Sequence, residues 1–253
     1  MLKKCLKNPA KAWRYLANRV LAVFGHEDFI KFIVLGRSRT GSNLLLSFLN
    51  SHSGVFAKGE IFQKLRGRNR KKILASVFNR QPRHIKAAGF KIFYYHPLYG
   101  ENDQLWRELL DVPGLHVIHL KRRNILNTLV SRKIADAHNA WQITSGLKMA
   151  EKPQAVLMDR EELKRGFMKT REWEANAERM FVGHKLHTIY YEDLDADPLG
   201  TFKRVIDFLG LVYQPPRSKL KKQNTQGLKE RIINYDELKD AFSGSNWAPF
   251  FEE

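Results

Sequence analysis

One strand–turn–helix passage constrains this chain more than any other feature. Residues 31–35 are an apolar run of strand length. The turn from Gly36 to Asn43 reads Gly-Arg-Ser-Arg-Thr-Gly-Ser-Asn, and residues 44–49 continue as an apolar helix. A turn of this kind aims backbone N–H groups at one point, and the positive end of the helix dipole adds to them, so the passage predicts an anion site. The rest of the chain repeats the alternation. Strands are expected at 87–94, 115–120 and 186–191. Helices are expected at 103–110, 125–135, 159–181, 197–209 and 235–242, with one more after Glu60 running through 64–72. Strands alternating with helices predict an α/β fold with a parallel sheet covered on both faces. No repeat or linker divides residues 1–253, so one domain is expected.

The glycine spacing, Gly36 to Gly41, matches a nucleotide P-loop, but the next residue does not. A nucleotide triphosphatase needs Lys there, followed by Ser or Thr for magnesium. This chain has Ser42 and Asn43 in those places. The positive charge sits inside the loop instead, at Arg37 and Arg39, which suits a ligand neutralised without metal. The whole chain leans the same way: 44 Lys and Arg against 26 Asp and Glu give a net charge of +18. Such a balance predicts anionic partners without saying which. A second anion element follows the strand at 115–120. Arg123 closes that strand, and Ser131 lies eight residues on in the next helix, a spacing that lets both reach one phosphate. The bland alternative is a capped helix with a surface serine.

Cys5 is the only cysteine, so an intrachain disulfide and a cysteine zinc site are excluded, and a reducing, cytoplasmic setting is the simple expectation. No His cluster has metal-ligand spacing, and no metal is expected. No run reaches the ~20 apolar residues of a membrane span. Residues 1–28 read as a basic amphipathic helix, with Leu2, Leu6, Trp13, Leu16, Val20 and Phe24 on one face and Lys4, Lys7, Lys11 and Arg14 on the other. That helix either packs on the core or, through residues 9–24, touches an anionic membrane. The segment 213–229 reads as a polar, basic loop able to cover a ligand.

Taken together, the loop Arg39-Thr40-Gly41-Ser42-Asn43 resembles the 5′-phosphosulfate loop of sulfotransferases that use 3′-phosphoadenosine 5′-phosphosulfate (PAPS), and Arg123 with Ser131 resembles their 3′-phosphate pair. Tyr191-Glu192-Asp193-Leu194, Val205 to Gly210, and Lys222-Gln223-Asn224 followed by Ile232 to Leu238 extend the resemblance, which is nearest the bacterial nodulation-type, lipopolysaccharide-type and trehalose-type branch. It implies a three-layer, P-loop-like fold and PAPS as sulfuryl donor, with 3′,5′-bisphosphoadenosine (PAP) as product. It implies a small-molecule, saccharide or glycolipid hydroxyl as acceptor. Lys222 would close on the donor from the C-terminal loop, or else belongs to a solvated basic run.

Sulfuryl transfer needs a base for the acceptor proton and cations for developing charge. The animal-type enzymes carry a His two residues after a strand lysine. Here the lysine is Lys91 and Phe93 stands in the His position. The trehalose-type branch uses a Glu after the first helix, which points to Glu60, held ionised by neighbouring cations. Glu60 could instead simply open a helix. His96 is the reserve base. Arg39 is expected on the sulfuryl and 5′-phosphate oxygens, and Lys91 is expected to assist or else to be a strand-end lysine. Two other readings remain. One is a P-loop kinase or hydrolase, against which the missing lysine speaks. The other is a nucleic-acid-binding protein, suggested by six Lys or Arg in the nine residues 64–72 but lacking any recognised module.

Overall fold

The computed structural model describes residues 24–98, 103–137, 155–217 and 226–252. The expected amphipathic helix, its membrane-facing residues 9–24 except Phe24, and Lys222 therefore lie outside the described residues.

The described residues build a parallel sheet of five strands in the order β2-β3-β1-β4-β5. They are β1 (Ile30–Gly36), β2 (Val55–Lys58), β3 (Ala87–Phe93), β4 (His116–Lys121) and β5 (Lys185–Tyr190). The register pairs Val34 with Lys91 on one side and with Ile118 on the other. β1 is buried among Phe32, Ile33, Val34 and Leu35, as an apolar run that faces helices on both sides must be. This is the α/β layer architecture that the alternating pattern predicts.

Alternate residues of β1 enter opposite layers. Phe32 and Val34 pack with Leu45, Phe48 and Leu49 of α1 (Ser42–Leu49) and with Phe202, Val205 and Ile206. Ile33 and Leu35 pack with Ile73 and Val77 of α2 (Arg70–Phe78), with Leu105 and Leu109 of α3 (Asp103–Leu110), and with Ala177. A third cluster joins Leu126 and Val130 of α4 (Ile125–Ala137) to Leu163 and Phe167 of α5 (Arg160–Met180) and to the C-terminal residues Phe250 and Phe251. Truncating any one of the Leu, Ile or Phe side chains here to Ala would cost about 2–5 kcal/mol.

Helix starts follow their sequence signals. Asp159 Oδ1 accepts the Glu162 N–H at 2.7 Å to open α5. Asp197 Oδ1 accepts the Gly200 N–H at 2.9 Å to open α7 (Pro198–Phe208), which follows the short helix α6 (Tyr191–Ala196). The helix expected through 64–72 is corrected. Arg66 and Gly67 take positive φ values of 52° and 72°, which no continuing helix allows, so α2 begins only at Arg70, capped by Asn69. Short elements escape the sequence pattern, among them the four-residue strand β2 and the helix α6. The chain ends in α8 (Leu228–Arg231), α9 (Tyr235–Phe242) and a 3-10 turn over Ala248–Phe251.

Topology fixes where a ligand belongs. After β1 the chain moves towards β2; after β4 it moves the opposite way, to β5. β1 and β4 are neighbours, so a crevice opens between their carboxyl ends, which is where open α/β sheets bind ligands. The Gly36–Asn43 turn leaves one of those ends and Lys121-Arg122-Arg123 the other.

Candidate active site

The turn after β1 has the geometry of an anion cradle. Arg39 and Gly41 take left-handed φ values of 69° and 78°, and Gly41 caps α1 with no side-chain hydrogen bond. Alternating hand turns successive N–H groups towards one side. Gly41 is required twice: its φ disfavours any side chain, and a Cβ would lie 2.3 Å from the Tyr191 ring. Thr40 Oγ1 donates to the Arg37 carbonyl at 2.7 Å, so its hydroxyl shapes the turn from within. Ser42 is buried at the first turn of α1.

The two loop arginines separate. Arg37 points into the protein, donating to Thr170 Oγ1 and lying 5.5 Å from the Trp173 ring. Burial lowers its pKa to about 10. Arg39 turns towards α4, where its Nε donates to Ser131 Oγ at 2.9 Å. Burial, then the neighbouring Arg122, lowers the Arg39 pKa. Arg122 donates to the Arg39 carbonyl at 3.2 Å and stacks 4.6 Å over the Tyr191 ring. Sequence reasoning missed Arg122; its signal was the adjacent basic pair at the strand end.

Arg123 grips Asp193, Nη1 to Oδ1 at 2.7 Å and Nη2 to Oδ2 at 2.9 Å, and stacks 4.2 Å over Tyr190. That hydrogen-bonded pairing raises the Arg123 pKa and lowers that of Asp193. Glu192 accepts the backbone N–H groups of Arg123 and Asn124 at 3.0 and 3.3 Å, so α6 lays two carboxylates against this edge.

On the other side of the loop, three expected residues meet. Lys91, 3% exposed on β3, reaches Glu60 Oε1 at 2.9 Å and Asn43 Oδ1 at 2.7 Å. The lysine thus ties the carboxylate to the first turn of α1. His96 lies behind, fully buried, with Nε2 3.7 Å from Glu60 Oε2. Its Nδ1 accepts the Phe93 N–H at 3.3 Å, which leaves the proton on Nε2. Burial, then Lys91, pushes the His96 pKa down to about 4. His96 is thus a neutral, enclosed imidazole whose Nε2 faces Glu60 without a hydrogen-bond partner.

The profile described as the Sulfotransferase family matches residues 109–215. Nodulation protein H of Rhizobium meliloti (strain 1021) is 29% identical over 237 residues, covering 87% of this chain and 94% of that protein. Nodulation protein H of Rhizobium tropici is 28% identical over 236 residues, covering 87% and 92%. The chain is therefore similar to the sulfotransferase family over residues 109–215 and to the nodulation-type proteins over most of its length. Among solved structures, a sulfotransferase from Alicyclobacillus acidocaldarius superposes with a TM-score of 0.49 at 15% identity, covering 87% of this chain and 92% of that one. A mouse sulfotransferase complexed with PAP gives 0.47 at 12% identity, covering 92% and 91%. The sequence similarity supports the nodulation-type branch. Among the described residues no helix is long and apolar enough to cross a membrane.

Proposed function

We propose that this protein is a sulfotransferase that moves a sulfuryl group from PAPS to a hydroxyl of a saccharide or glycolipid, with Glu60 taking the acceptor proton. The observation that carries this reading is the Lys91 bridge, at 2.9 Å from Glu60 and 2.7 Å from Asn43. It holds a carboxylate beside an anion cradle, as a base for in-line transfer requires.

The residues fit such a donor. The cradle offers the uncapped start of α1, the Arg39 guanidinium and the Ser131 hydroxyl, and Arg122 underlies it with a buried Nε that has no hydrogen-bond partner. When bound, PAPS supplies an activated sulfur whose bond to the 5′-phosphate oxygen breaks as the acceptor oxygen bonds to it. Glu60 presents Oε2 to the acceptor hydroxyl, because Lys91 occupies Oε1. Lys91 and Arg39 neutralise the charge that gathers on the leaving oxygen. The backbone N–H groups of Thr40, Gly41, Ser42 and Asn43 face the 5′ end. Arg123 would take the 3′-phosphate after exchanging Asp193 for it, with Ser131 alongside. No magnesium ligand is needed.

The test is transfer of label from sulfur-35 PAPS to a pooled saccharide and polar-lipid extract. Wild-type protein labels one fraction. Glu60→Gln lowers the rate by about 10²–10⁴-fold and leaves PAP affinity within twofold. Equal rates from the two proteins would remove Glu60 as the base, and no labelling by wild type would remove the transfer reading.

A further inference from the structure

Beside the proposed transfer site stands an aromatic wall that none of its chemistry uses. Tyr95 lies two residues past the end of β3, and Trp173 lies on α5. Their ring centroids are 5.4 Å apart at 49°. Both rings are partly exposed, although most aromatic residues near them are enclosed. Tyr94 extends the wall, stacked on Trp173 at 6.1 Å.

Three contacts place the wall at the reacting end of the cradle. The Ser38 N–H, inside the loop, donates to Tyr95 Oη at 3.3 Å. Tyr95 also packs edge-on against His96, 5.5 Å away, and His96 faces Glu60. Arg132, next to Ser131, lies 5.8 Å from the Tyr95 ring. The wall is therefore bounded by the loop, by the proposed base and by the helix that receives Arg39.

Its rim is polar and exposed. The Arg132 and Lys169 side chains are 40% and 51% exposed, and the Lys169 ammonium is 5.8 Å from the Trp173 ring. Long cationic side chains over an aromatic face are easily displaced and can then donate hydrogen bonds at its edge. An alkyl chain would be better served by a continuous apolar groove. A pyranose ring has an apolar C–H face bordered by hydroxyls, and flat rings framed by donors match both parts.

We infer that Tyr95 and Trp173 form the platform for a sugar ring of the acceptor, with Arg132 and Lys169 bonding its hydroxyls. This rests on the transfer reading above and adds the residues that select the acceptor. Stacking on Trp173 holds the ring so that one hydroxyl reaches Glu60 Oε2.

The experiment uses full-length protein saturated with PAP and three probes: cellotetraose, chitotetraose and maltotetraose. Saturation-transfer NMR is expected to show ring protons of at least one probe in contact with wild type. Trp173→Ala abolishes that signal and raises the KM for sulfation of the bound probe about tenfold, whereas Trp173→Tyr restores both to within about threefold. PAP affinity stays unchanged in both variants, which separates the platform from the donor site. Saturation transfer that persists in Trp173→Ala overturns the inference. So does a wild type that binds PAP but none of the three probes. A wild type that fails to bind PAP overturns the transfer reading itself.

Discussion

Lys91 and Arg123 sit on opposite sides of the same loop, and each is held by a carboxylate, yet to different effect. Lys91 is buried and its partner Glu60 belongs to the proposed chemistry; no group must leave before the pair can act. Arg123 is half exposed, and its partner Asp193 holds the guanidinium that the proposed function gives to the 3′-phosphate. The first half is assembled ahead of binding, and the second is neutralised by a stand-in. Preassembly at the reacting end avoids reorganisation during transfer. An exchangeable partner at the far end lets the protein hold a cation without an unpaired charge until the ligand arrives.

The largest expected effect tests whether the cradle between these halves is built for a ligand. Arg39 holds a left-handed φ of 69°, a conformation costing about 1 kcal/mol or more for a residue with a side chain. Arg39→Gly relieves that strain and removes the guanidinium. Calorimetry should show PAP affinity falling about tenfold to hundredfold, as loss of a charge-assisted hydrogen bond implies. Thermal unfolding should show a midpoint equal to or above wild type. A lower midpoint with intact affinity would make Arg39 a structural residue.

A smaller effect concerns the enclosed side of the molecule. Tyr94 Oη and His119 Nε2 share a hydrogen bond of 2.6 Å, and burial, then Lys121, pushes the His119 pKa down to about 4; His96 behaves alike. Between pH 6.5 and 4 the unfolded chain binds protons that these folded histidines refuse. Their stabilisation is thus complete above pH 6.5 and lost as the pH falls. Each contributes on the order of 2 kcal/mol between pH 7 and 5. Glu174, whose pKa burial raises, acts in the opposite sense. Urea unfolding at the two pH values should show wild type losing stability on acidification and His119→Gln losing less. Equal slopes would show that this enclosed side does not exclude protons.

The smallest effect addresses the stand-in directly. Asp193→Asn frees Arg123 without shortening the side chain, and PAP affinity should rise about threefold, more at low salt than at high. Weaker PAP binding would mean that Asp193 positions Arg123 for the ligand, and the contrast between the two halves would fail.

The sequence already shows the strand, the loop and α1, because apolar runs and glycines are local signals. Glu60, Lys91 and Asn43 are each legible singly, but their meeting depends on β2, a four-residue strand too short to show a period. The helix misplaced at 64–72 has the opposite cause: Lys and Arg favour helices, and the left-handed turn at Arg66 and Gly67 overrides them. Asp193 and Tyr190 reach Arg123 only through β5 and α6, about seventy residues on. Trp173 meets Tyr95 by tertiary packing alone, so no spacing could have paired them.

The most direct measurement is calorimetric titration of the wild-type chain with PAP and, separately, with ATP and magnesium. Micromolar binding of PAP and at least tenfold weaker binding of ATP with magnesium are predicted from a cradle that carries Arg39 and lacks the P-loop lysine. Absence of PAP binding, or tighter binding of ATP with magnesium, would contradict the assignment of the loop to a phosphosulfate donor.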